Sequence, residues 1–68
     1  MDAYIRNYET RYYYVYNKNY NCIYLRVMHD FDINEKHSGL YFKTKLEAMV
    51  QIMDYINTNN IKNVRIVE

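Results

Sequence analysis

The sequence predicts an α+β domain in the order β-β-β-α-β: a three- to four-stranded, mainly antiparallel sheet with one helix packed on one face. Three observations carry that reading. Residues 11–28 hold two alternating segments on either side of the asparagine-rich "NKNYN". Residues 44–56 hold a capping signal followed by apolar residues at helical spacing, and the chain closes on "IKNVRIVE".

The first segment raises its own question, because "RYYYVYNKNYNCIYL" puts six tyrosines in fifteen positions. From Arg11 to Tyr16 the alternation sets Tyr12, Tyr14 and Tyr16 on one face and Arg11, Tyr13 and Val15 on the other. From Cys22 to Met28 it sets Ile23, Leu25 and Val27 against Cys22, Tyr24, Arg26 and Met28. Asparagine tolerates the positive φ of tight turns, so "NKNYN" reads as a hairpin loop of three to five residues. An odd loop pairs residues of equal parity. On that count Tyr13 and Val15 join Ile23, Leu25 and Val27 on the core side, and Tyr12, Tyr14, Tyr16, Tyr24 and Arg26 gather on the opposite face.

"GLYF", residues 39–42, reads as a third short strand. Thr44 followed by Glu47 is a capping box: the threonine oxygen accepts from the amide three residues on and the glutamate reaches back. The helix then starts at Lys45 and runs to about Asn57. Leu46, Met49, Val50, Met53 and Ile56 form its apolar stripe, flanked by Ile52, with Gln51, Asp54 and Tyr55 outward. Leu46, Met49, Val50 and Met53 are expected to be buried, so that Met53→Asp unfolds the domain. Asn59 or Asn60 suits the left-handed C-terminal position. In the last strand Val64 and Ile66 face inward.

Residues 1–68 are expected to form a single domain. A chain this short buries only about 60% of the surface that its unfolded form exposes, which makes a homodimer attractive as a supplement to the core. A single cysteine, Cys22, excludes an internal disulfide and points to a reducing cytosol. "MDAYIRNYETR" has no apolar run of leader type and no stretch reaches membrane-spanning length, so the expectation is a cytoplasmic protein, neither exported nor inserted. Nine Lys and Arg against eight Asp and Glu leave a formal charge of +1, too little for strong steering onto nucleic acid. An 18% aromatic content is that of an ordered domain.

If the helix covers the aliphatic side of the sheet, Tyr12, Tyr14, Tyr16, Tyr24 and Arg26 form an exposed patch. Such a patch marks an interaction site, since tyrosine and arginine are enriched among residues that dominate interfaces. The plain alternative is that tyrosine has a high strand propensity and a wettable hydroxyl, and so makes a stable sheet. "HDFDINEKH", residues 29–37, collects His29, Asp30, Asp32, Glu35 and His37. Asp30, Asp32 and Asn34 match the start of an EF-hand loop, but Glu35 stands where glycine is needed and Tyr41 where a bidentate glutamate is needed. The segment therefore reads as a polar loop, with no metal expected. Ser38 beside His37 lacks an orienting carboxylate, nothing near Cys22 activates a thiolate, and one glycine cannot build a phosphate loop. Neither catalysis nor a cofactor is expected.

Two resemblances add to this. "GLYFKTKLEAMVQIMDYI", residues 39–56, resembles the strand-into-helix step of arm-type DNA-binding domains of phage integrases, in which a three-stranded sheet enters the major groove and a helix backs it. The whole plan, at this size, is similar to small phage-encoded proteins that bind and inhibit host enzymes such as RNA polymerase or defence nucleases. The second resemblance implies a non-enzymatic viral or mobile-element inhibitor working in the host cytoplasm on a protein partner. The alternative is a nucleic-acid-binding module, with tyrosines stacked on bases and Arg26, Arg11 and Lys18 touching phosphates. A third reading is a homodimer through the tyrosine faces.

Overall fold

The computed structural model describes residues 7–68; the reading of the N-terminal segment as no leader falls largely on residues 1–6, outside the described ones. Strand β1 (Tyr8–Asn17) and strand β2 (Cys22–Asp32) form a long antiparallel hairpin, helix α1 (Lys45–Thr58) follows, and strand β3 (Arg65–Val67) completes a sheet of order β1-β2-β3. β3 runs parallel to β2, pairing Cys22 with Arg65, Ile23 with Ile66 and Tyr24 with Val67. A parallel neighbour needs a crossover, and α1 supplies it. The fold is α+β with one helix, and its three strands make a mixed sheet. No helix among the described residues is long and apolar enough to cross a membrane.

The turn length falls within the expected three to five residues, but it is even where an odd loop was expected, with large consequences. Asn17 pairs with Cys22, so the loop is Lys18–Asn21, four residues and even. Asn17 Oδ1 accepts from the Tyr20 amide at 3.2 Å and Asn21 takes φ 50°, the left-handed conformation that asparagine tolerates. An even loop pairs residues of opposite parity: Tyr16 with Ile23, Tyr14 with Leu25, Tyr12 with Val27. Tyr12, Tyr14 and Tyr16 therefore share the face of Ile23, Leu25 and Val27, and Tyr13 and Val15 share the face of Tyr24 and Arg26. This corrects the expected grouping. Further along, the register shifts between Glu9 and Arg11, opposite Phe31 and Met28, and the hairpin continues to Tyr8 and Asp32.

The third predicted strand shrinks to one bridge. Phe42 and Tyr12 exchange two backbone hydrogen bonds of 2.7 Å, and nothing else in "GLYF" pairs. The chain has to leave the edge of β1 within two residues to place Thr44 at the start of α1. Thr44 Oγ1 accepts from the Glu47 amide at 3.1 Å and donates to Glu47 Oε1 at 3.1 Å, so the glutamate closes onto the threonine hydroxyl instead of its amide. At the other end the Ile61 amide reaches the Ile56 carbonyl and the Asn60 amide the Asn57 carbonyl, with Asn60 at φ 53°: a Schellman ending with asparagine in the glycine position.

The core is small. Among the described residues, Cys22, Ile23, Leu25, Ala48 and Ile52 are buried, and Tyr12, Tyr14, Tyr16, Phe42, Met49, Tyr55, Ile56, Val64 and Ile66 pack around the cluster formed by the last four. Val64 and Ile66 thus face inward as expected. The helix is turned about its axis relative to the expected orientation. Ala48 and Ile52 meet the sheet, Tyr55 lies against it, and Leu46, Val50 and Met53 stand 74%, 56% and 49% exposed. The reason is on the sheet, where three tyrosine rings line the receiving face. A small residue at Ala48 lets the helix backbone approach between bulky rings, which leucine at 46 would prevent. Burying Ile52 contributes about 2–3 kcal/mol.

Candidate functional site: the two faces of the sheet

The five residues singled out by sequence divide between two surfaces. On the helix side, Tyr14 and Tyr16 pack on Tyr55, with ring centroids 5.6 and 5.9 Å apart. Tyr16 donates to Asn21 Oδ1 at 3.0 Å, and Asn21 Nδ2 donates to the Lys62 carbonyl at 2.8 Å, tying the hairpin turn to the approach of β3. Tyr14, Tyr16, Tyr55 and Leu40 line an open groove of about 300 Å³. Burial, helped by the nearby Tyr55 and Asp54, raises the Tyr14 phenol above its ordinary value of 10.0. Tyr12 lines a second groove with Leu25, Arg26, Val27, Lys45 and Glu68. These three tyrosines are half-buried parts of the packing.

Tyr24 and Arg26 lie on the other face, where no described element stacks over them. Arg26 sits 4.8 Å above the Tyr24 ring, a cation–π contact that spreads the guanidinium over the phenol. Val15, directly opposite Tyr24 in β1, is 49% exposed, and Val67 flanks Tyr24 from β3. Arg65 belongs here too: it pairs with Cys22 and acts electrostatically on the Tyr24 hydroxyl. That hydroxyl is raised above its ordinary range by a hydrogen bond with the Cys22 side chain and by that group's charged form, against the lowering pull of Arg26 and Arg65. Among the described residues, neither Arg26 nor Arg65 has a carboxylate partner. Arg11, on the same face, is already engaged: it bridges Glu9 at 2.7 Å, donates to the Thr10 carbonyl and lies over Phe31.

The far end of this face is closed by aromatics. His37 stacks on Phe31 at 3.9 Å, and Tyr41 meets Phe31, His37 and Tyr13. Gly39 lets Tyr41 lie against the main chain, since a Cβ there would stand 3.2 Å from the ring. The segment expected to be a polar loop over residues 29–37 is strand at its start and a folded aromatic lid beyond: β2 runs through Asp32, whose Oδ1 accepts from the Asn34 amide at 2.9 Å, and His37 Nε2 lies 2.8 Å from the Asp32 carbonyl. Among the described residues, no three His, Cys, Asp or Glu side chains converge on a metal position. Sequence reasoning missed Arg65, Tyr13 and Val15 as neighbours of Tyr24. The available signal was the count of residues between Asn17 and Cys22, because four instead of five would have put Tyr13 and Val15 beside Tyr24 and Arg26.

Comparison with protein-family models, with curated proteins and with solved structures finds no match to this chain.

Proposed function

We propose that this chain is a non-enzymatic binding protein that takes a macromolecular partner on the uncovered face of its sheet, around Tyr24, Arg26, Arg65, Tyr13 and Val15. The observation that supports it best is the grouping, on a single sheet face, of two arginines without a carboxylate partner among the described residues with a tyrosine and a half-exposed valine. A desolvated guanidinium and an aromatic ring are the groups that usually carry the energy of a protein interface. Two positive charges beside apolar area fit an acidic protein surface. In the reading of the chain as a small viral or mobile-element inhibitor, that surface belongs to a host enzyme or defence nuclease in the cytoplasm. Tyr12, Tyr14 and Tyr16 contribute by holding the sheet to the helix.

The test compares affinity capture by the wild-type chain with capture by Tyr24→Ala and Arg26→Glu, identifying the retained protein by mass spectrometry. A protein held by the wild type and lost from both folded variants supports the proposal. Equal retention by all three removes the face from consideration.

Single-stranded nucleic acid is the second reading, favoured by the same tyrosine and by arginines without a carboxylate partner among the described residues. Phosphate contacts release counterions, so binding of this kind falls steeply with added salt. Salt-sensitive binding of an unstructured oligonucleotide at about micromolar concentration, lost in Arg26→Glu, would put this reading first.

A further inference from the structure

We infer that the occupant of the open sheet face includes a second copy of this chain, docked head to tail, with the outer side of α1 in one molecule lying on Val15, Tyr24, Arg26 and Arg65 of the next. The inference rests on the proposed role of that face as a docking surface. It is carried by a second surface that the fold leaves unused. α1 is apolar on two sides: Ala48 and Ile52 enter the core, while Leu46, Val50 and Met53, spaced by four and three residues, form an exposed row pointing away from it. Three large aliphatic residues in one such row are what a helix presents to a groove or sheet.

Charge decides how the two surfaces meet. Glu47 and Asp54, seven residues apart, run along one flank of the exposed row. The open sheet face carries Arg26 and Arg65. Sheet against sheet sets arginines against arginines. Helix against helix in the antiparallel sense, around a twofold axis perpendicular to them, sets the acidic flank against itself, and the parallel sense offers that flank only Lys45, already bridged to Glu68. Only helix on sheet places opposite charges together while burying apolar area on both sides, and it gives the sheet the second layer that it lacks. The contact is heterologous, so each molecule offers one donor surface and one acceptor surface, and association closes a ring or continues. A docked copy covers the residues that a different partner would need. Self-association and partner binding therefore compete.

Two variants test this. Val50→Asp with Met53→Asp spoils the helix row and leaves the sheet face intact; Arg26→Glu with Arg65→Glu does the reverse. All four positions are exposed, and circular dichroism and melting are the check that each variant folds. Sedimentation of the wild type from about micromolar to millimolar concentration should show a mass rising above 8.5 kDa. Each variant alone should stay at 8.5 kDa, and their equimolar mixture should form a dimer of twice that mass and nothing larger. Self-association of the helix variant means a sheet-to-sheet dimer, and self-association of the sheet variant a helix-to-helix dimer; either overturns the inference. A wild type that stays monomeric throughout overturns it as well, while the capture of a different partner by the open face stands or falls separately. Should either double variant fail to fold, Val50→Ser and Arg26→Gln replace them, with at least a tenfold weakening of self-association expected from each.

Discussion

The two faces of this sheet are built from similar residues and do different work. Tyr12, Tyr14 and Tyr16 lie under the helix, half-buried against Tyr55, Ile23 and Leu25. Tyr24, in the next strand, faces away with Arg26 over its ring. A tyrosine serves either purpose, because its ring accepts burial and its hydroxyl accepts water. What assigns the role is parity across a four-residue turn, and neither the number of tyrosines nor their local sequence carries that information.

The sharpest way to break the comparison is to put a charge on each side of the helix. Ile52→Asp buries an unpaired carboxylate in the cluster that holds the sheet to α1 and should abolish cooperative unfolding, a loss of more than about 4 kcal/mol. Met53→Asp, one residue on, should shift the urea midpoint by no more than about 0.5 kcal/mol equivalent, because Met53 is half exposed. Equal damage from both would mean that the helix lies on its Leu46–Val50–Met53 row after all.

The tyrosines give the next largest contrast. Tyr14→Ala removes a ring packed between Tyr55 and the core and should cost about 2–4 kcal/mol in chemical denaturation. Tyr24→Ala should cost about 1 kcal/mol or less, chiefly the contact with Arg26. Reversal of that order would put Tyr24 in the core and return the sheet to an odd-loop register.

The smallest effect is a pH dependence. The Tyr14 phenol is raised in the folded state, so folding favours its protonated form. That contribution is fully present below pH 10 and is lost as pH rises through the higher folded value. In a spectrophotometric titration of the ten tyrosines, Tyr14 should be among the last to ionise, and Tyr14→Phe should remove absorbance from the alkaline end of the curve. Loss from its early part would contradict the burial of the ring.

Much of the fold was legible in the sequence where the signals are local. The Thr44 cap fixed the start of α1 at Lys45, and the helix ends at Thr58, one residue past the expected Asn57. The hairpin, the final strand and the inward Val64 and Ile66 follow from alternation and turn residues within a few positions of one another. The misreadings share a different origin. The rotation of α1 depends on ring size at Tyr12, Tyr14 and Tyr16, which lie in β1, far from it in sequence, and the Leu46 row looked like a core because aliphatic side chains at helical spacing look alike on either side. "GLYF" has strand composition, but the short distance to Thr44 leaves room for only the Phe42 bridge. Arg65 joins the open face through a parallel pairing that no local pattern announces.

Asn21 gives the fold a temporal order. It ends the hairpin turn in a left-handed conformation, a wholly local task, and its carbonyl and side chain also hold the Arg65 amide and the Lys62 carbonyl, which arrive only after the entire crossover is complete. Hairpin closure needs a handful of residues to meet, whereas docking of β3 must close a loop from Cys22 to Arg65. The longer closure leads us to expect the second set of bonds on the native side of the folding barrier, which the unfolding rate tests. Trimming the side chain while keeping the turn, as in Asn21→Gly, should leave the refolding rate nearly unchanged and speed unfolding, so that this one residue acts as a latch on the lifetime of the native state more than as a guide to reaching it.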